Sequence, residues 1–148
     1  MAFRFRLQAV LEHRRHQQEA AMAELAAKLG SQTQCEQQIA WLEKEFRAAR
    51  GQLGLRPSGS IAAKDFVLAN EYLTVLRLTA LREQARLPAL QAETEQARLK
   101  LVEADRRCRV LEKLRQRHKE AYDRQEMLKE QRLLDEVAVG AYARRLVS

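Results

Sequence analysis

Gly51-Gln52-Leu53-Gly54-Leu55-Arg56-Pro57-Ser58-Gly59-Ser60 holds three of the chain's five glycines and one of its two prolines. Glycine costs about 1 kcal/mol in a helix interior and proline about 3, so the decapeptide predicts a break that no helix crosses intact. On both sides lie long stretches with helical periodicity and no comparable breaker. Two helices joined by a short break fold back most simply as an antiparallel hairpin. The prediction is an all-α chain in which two long helices form an antiparallel coiled-coil hairpin. Helix 1 covers about residues 7–50, the turn 51–60, and a longer helix 2 about 61–145, within a single coiled-coil domain over 1–148.

Working back from the turn, alternating steps of four and three from Leu7 select Leu11, Arg14, Gln18, Ala21, Leu25, Lys28, Gln32, Cys35, Ile39, Leu42, Phe46, Ala49 and Leu53. Most are apolar, which marks a heptad seam. Arg14, Gln18, Lys28 and Gln32 interrupt it and predict looser packing toward the open end of the hairpin. Working forward, Ser60 can cap helix 2 by accepting an unpaired backbone N–H. Steps of three and four from Phe66 select Ala69, Leu73, Leu76, Ala80, Glu83, Leu87, Leu90, Thr94, Ala97, Leu101, Ala104, Cys108 and Leu111, with only Glu83 and Thr94 polar. A turn centred near Arg56 pairs residues whose numbers sum to about 112. Phe46 then faces Phe66, Leu25 faces Leu87, Leu11 faces Leu101, and Cys35 faces the region of Arg77. Pro88 either kinks or briefly breaks helix 2, or divides it in two. Past Leu111 the phase passes to Leu114, Ala121 and Leu128, as a three-residue stammer. Glu112 to Ser148 is left without a partner in the chain.

The composition agrees. Of 148 residues 32% are charged and only 5% aromatic, the balance of long helices rather than of a globule. No apolar run approaches the roughly 18 residues of a membrane span. The opening Met1-Ala2-Phe3-Arg4-Phe5-Arg6-Leu7 has no secretory core, so the expectation is a cytosolic protein. Cys35 and Cys108 stand outside any CxxC or Cys/His cluster and read as small seam residues in a reducing compartment. No phosphate loop, GxSxG or HExxH occurs, and His13 and His16 have no third ligand near them. Neither an enzyme nor a cofactor or metal is expected.

Two groups of residues are candidate sites. The net charge of +7 concentrates in Arg106, Arg107, Arg109, Lys113, Arg115, Arg117, Lys119 and Arg124, with Arg4, Arg6, Arg14 and Arg15 alongside in the hairpin. Such a face is an ordinary solvated coiled-coil surface, a dock for an acidic partner, or a phosphate-binding arm for nucleic acid. The scarcity of interleaved aromatics counts against the last. Near the turn, Trp41, Tyr72 and Leu76 cluster. Off the strict seam, Trp41 and Tyr72 are either anchors for a protein partner or residues lapping over the seam's edge.

The ends of the chain then matter. Phe3-Arg4-Phe5-Arg6-Leu7-Gln8-Ala9-Val10-Leu11, followed by Arg14, Glu19 and Ala20, resembles the start of FliJ proteins of the bacterial flagellar export apparatus. So does the late Leu133-Leu134-Asp135-Glu136 with Tyr142 and Arg144, and between them Tyr72-Leu73, Leu76 and Leu111-Glu112-Lys113-Leu114 fit the same order. The resemblance covers nearly the whole chain. It implies a non-catalytic stalk of type III export that serves motility, at the cytoplasmic face of the inner membrane at the flagellar base. It implies as partners the hexameric export ATPase, which the stalk stimulates, the cytoplasmic part of the export gate membrane protein, and export chaperones, with no small-molecule substrate. By position, Gln38, Leu42, Tyr72 and Leu76 match a family patch linked to the gate, with Trp41 as a further anchor. The ATPase-facing end corresponds to the helix termini, here Arg4, Arg6, Arg14, Arg15, Arg106, Arg107, Arg109, Lys113, Arg115 and Arg117.

Overall fold

Ala, Leu, Glu, Gln and Arg dominate the sequence, and all are strong helix formers. In the computed structural model, which describes residues 2–55 and 63–147, they form two helices, α1 (Gln8–Leu55) and the longer α2 (Ala63–Val147), packed antiparallel as a hairpin. The Phe5 carbonyl accepts from the Gln8 N–H at 3.1 Å where α1 begins. Asp65 in the first turn of α2 and Arg144 and Arg145 in its last complement the helix dipole. The described residues hold no helix long and apolar enough to cross a membrane.

α1 runs five residues past its expected end. Gly51 and Gly54 are both helical, and nothing lies within 4 Å of the space a Cβ would fill at either. Two glycines tax a helix without forbidding it, whereas a proline disfavours helical geometry in the residue before it. α1 thus crosses both glycines as far as Leu55, the last described residue before the expected turn. The expected turn at 56–60 and the Ser60 cap lie outside the described residues. Pro88 sits inside an unbroken α2, so the two-helix alternative there does not hold.

The helices share two compact units, unit 1 (Met1–Glu19 with Glu103–Ser148) and unit 2 (Ala20–Val102). In unit 2 the buried seam is Ala21, Cys35, Leu42, Leu76, Leu90, Thr94 and Ala97. Thr94 is a buried polar residue whose hydroxyl donates to the Leu90 carbonyl at 2.9 Å. Polar groups clamp the seam's sides, as in Lys28 to Glu93 at 3.1 Å, Lys100 to Glu24 at 3.4 Å and Gln84 to Glu43 at 3.1 Å. The Cys35 thiol reaches the Glu83 backbone carbonyl and its carboxylate, each at 3.5 Å.

Unit 1 is built differently. Residues 2–5 are not helical, and in Phe3-Arg4-Phe5-Arg6 the aromatics turn inward while the arginines stay exposed, the period of two of extended chain. Phe5, Leu11 and Cys108 form the buried cluster, with Phe3, Leu7, Leu111 and Leu114 packed round it. Phe3 meets Tyr122 at 5.6 Å between ring centres, and Phe5 meets the His118 ring edge-on at 5.7 Å. Two extended residues span about 6.6 Å and four helical ones about 6 Å, so the aromatic pair matches one turn of α2.

These contacts correct the register. Pairs across the hairpin within each unit sum to between 117 and 127, not to about 112. Cys35 lies against Glu83 rather than Arg77, and Cys108 packs with Leu11 rather than beyond the start of helix 1. Past Leu111 the two phases are mixed: Leu114 of the expected stammer is half-buried against the cluster and so is Arg115 of the continuing spacing, His118 and Tyr122 meet the aromatics, and Ala121 and Leu128 are exposed. α2 is therefore covered to Tyr122, eleven residues past Leu111, because the register is shifted along it, and the extended N-terminal stretch supplies the last of that cover.

Candidate functional site

All ten residues of the expected basic face fall in unit 1. That unit carries sixteen Lys and Arg against eleven Asp and Glu, and unit 2 carries eleven against nine, so most of the excess charge belongs to unit 1. The ten are not equivalent. Arg15 pairs with Glu112 at 3.6 Å and Arg109 with Asp105 at 2.9 Å, while Arg106 and Arg107 share Glu103 at 3.0 and 3.1 Å. The Arg106 hydrogen bond, with help from Arg107, holds the Glu103 carboxyl below the usual glutamate range even though burial opposes it. Arg14 donates to Gln17 at 3.0 Å. Arg4, Arg6, Lys113 and Arg117 are exposed and have no carboxylate partner among the described residues. Lys113 and Arg117 are four apart and share one face of α2. Arg115 takes a seam position, and its Nε is buried without a hydrogen-bond partner.

A groove of about 410 Å³ adjoins this face. Val10, Val110 and Leu111 line it together with Arg14, Arg106 and Arg107. An apolar trough rimmed by cations suits a segment that brings both apolar side chains and carboxylates.

The four residues assigned to the gate patch lie in unit 2 in two different settings. Leu42 and Leu76 are 3% and 5% exposed and are part of the seam. With Phe46 and Ala80 they line a second groove of about 410 Å³. Gln38 and Tyr72 are on the surface. The Tyr72 hydroxyl donates to Glu45 at 3.3 Å, and its phenol is pushed up by desolvation and by that carboxylate. Trp41 is 57% exposed beside Leu42.

The thiols of Cys35 and Cys108 are free and buried. Burial pushes both up first, reinforced by Glu83 and Glu112 respectively, so both are poor nucleophiles near neutral pH. His118 is exposed, and its ring meets Phe5 edge-on. The signal that could have found this contact is the strict alternation in Phe3-Arg4-Phe5-Arg6-Leu7, which is a strand period at the head of a helical chain.

Set against known proteins, the chain matches the family model described as flagellar FliJ protein over residues 3–146. No curated protein and no solved structure matches it. The match covers both the extended head and the end of α2, and the chain therefore belongs to the FliJ family, a component of the flagellar export apparatus.

Proposed function

We propose that this chain is a non-catalytic stalk that binds and stimulates the hexameric flagellar export ATPase through the basic face of unit 1. The family match over residues 3–146 carries the reading. The cluster of cations without carboxylate partners, Arg4, Arg6, Lys113 and Arg117, supports the choice of face, because unpaired charge is what an acidic lining recruits. Through unit 2 the same chain engages the cytoplasmic part of the export gate, with exposed Gln38, Tyr72 and Trp41 as the contacts and Leu42 and Leu76 as the packing beneath them. It also receives export chaperones, and it works at the cytoplasmic face of the inner membrane at the flagellar base.

The test is a titration of the full chain into the flagellar export ATPase of the same organism, following phosphate release at physiological salt. Stimulation that saturates below one chain per ATPase subunit is expected. The double change Lys113→Glu with Arg117→Glu is expected to weaken the response about tenfold or more, and Arg109→Glu, whose arginine already has Asp105, less. A flat response overturns the reading. Equal effects of all three changes move the docking face elsewhere.

A further inference from the structure

α2 carries a second heptad stripe in unit 2 that is exposed along its length among the described residues. Steps of three and four from Leu68 select Glu71, Val75, Leu78, Arg82 and Ala85, then Ala89 and Ala92. Every one of these residues is exposed, with Leu68, Val75 and Leu78 at 54%, 59% and 58%. The stripe faces away from α1. Leu78 is two residues from both Leu76 and Ala80 of the hairpin's own seam, about 200° round the helix. A sustained three-four stripe is the mark of a helix built to pack against another helix.

The two charged members say which helix. Glu71 and Arg82 are opposite in sign and symmetric about Val75 and Leu78. Neither has an ion-pair partner among the described residues. When two copies of α2 cross antiparallel about a two-fold axis, one register brings the two charged members together and pairs the stripe from Leu68 to Ala85, with Ala89 and Ala92 beyond the paired stretch. Val75 meets Leu78 of the second copy, Glu71 meets its Arg82, and Leu68 meets its Ala85. The same contacts repeat on the other side of the axis, as an isologous interface requires. Large faces small or medium in each layer, and both charges are neutralised by the only residues placed to do so. We infer that this stripe is a homodimer interface, in which α2 of one chain pairs antiparallel with α2 of a second copy through Val75 and Leu78 between two Glu71–Arg82 bridges. The inference goes beyond the stalk reading and does not depend on it. It uses unit 2 and a face of α2 opposite the seam.

The experiment is sedimentation equilibrium of the full chain over a wide concentration range. The expected mass climbs from the 17.1 kDa of one chain toward twice that value. Arg82→Glu alone places Glu71 against a glutamate at both bridges, and Glu71→Arg alone places Arg82 against an arginine. Each single variant is expected to weaken self-association about tenfold or more. An equimolar mixture of the two restores both bridges in a heterodimer, and its association is expected to return to about the wild-type strength. Circular dichroism of each variant alone reports that the helices persist. A mass that stays at one chain at all concentrations overturns the inference and assigns the stripe to a different protein. Single variants that associate like wild type, or a mixture no stronger than either variant, overturn this register.

Discussion

Units 1 and 2 draw on the same two helices and the same heptad spacing, yet they close that seam by different means. Unit 2 lays helix on helix over small and medium residues such as Ala21, Cys35 and Ala97, and it fastens the edges with polar bridges such as Lys28 to Glu93. Unit 1 closes part of its seam with extended chain, whose aromatics step along α2 at twice the reach per residue. A heptad stripe therefore specifies that a face will be covered, but not what covers it. Where the partner helix ran out, the two-residue step from Phe3 to Phe5 matches the four-residue step from His118 to Tyr122 on α2.

That contrast can be broken by emptying one unit. Leu11 is fully buried in unit 1, and Leu11→Ala is expected to cost about 3 kcal/mol through lost burial and the cavity left behind. Amide exchange should show the loss at residues 8–19 and 103–122, with unit 2 little changed. An equal loss in both units erases the distinction between them. A milder change, Phe5→Ala, is expected to cost about 2 kcal/mol, since the residue is nearly buried but lies close to the chain's start. It should release residues 2–7 and expose the His118 ring, whose proton resonances report the loss of the neighbouring phenyl. Unmoved resonances would mean that the extended stretch does not depend on its aromatics.

Two smaller effects sharpen the comparison. Gly30 lies mid-α1 in unit 2 with nothing within 4 Å of the position a Cβ would occupy. Gly30→Ala is therefore expected to stabilise unit 2 by about 0.5–1 kcal/mol, read as a higher melting temperature. A lower one would show that the helix needs the glycine's freedom. The smallest effect belongs to Glu103 in unit 1. Its carboxyl is held low by Arg106 first, so its ion pairs support the fold above the ordinary glutamate range, and that support fades as pH falls through the lowered value. Wild type and Glu103→Gln should differ in stability near neutral pH and converge in acid. Curves that stay parallel into acid would assign the difference to something other than ionisation.

The seam was legible residue by residue. Each of the fourteen positions counted from Leu7 to Leu53 is buried or half-buried, and so is every position from Ala69 to Leu111 in the second helix. Phe66 fails, at 51% exposed. Periodicity gives the phase of a helix but not its length, and the register of a hairpin depends on where each helix stops. Two exposed helical glycines were enough to mislead that estimate. Of the four polar seam residues, two are tied across the hairpin, while Arg14 and Gln32 bond within α1. Gln18 donates to Asp105 at 2.7 Å and Lys28 reaches Glu93, so both have partners on the other helix. Of the candidate sites, the ten cations all fall in unit 1, but the sequence could not tell Arg106, tied to Glu103, from Lys113, which has no carboxylate partner among the described residues. Spacing within one helix does not reveal side-chain pairing when several carboxylates are within reach.

Pro88 gives α2 a fixed point of mechanical give. Without an N–H it leaves the Gln84 carbonyl without its usual helical donor, and a helix yields first where its ladder lacks a rung. α1 straps that site from the side, through the Cys35 thiol on the Glu83 carbonyl and Glu43 on the Gln84 side chain. A push along α2 is thus absorbed as a small elastic flexure at a known address rather than spread along the helix. The straps set the spring's stiffness, and the loss of either one makes it softer.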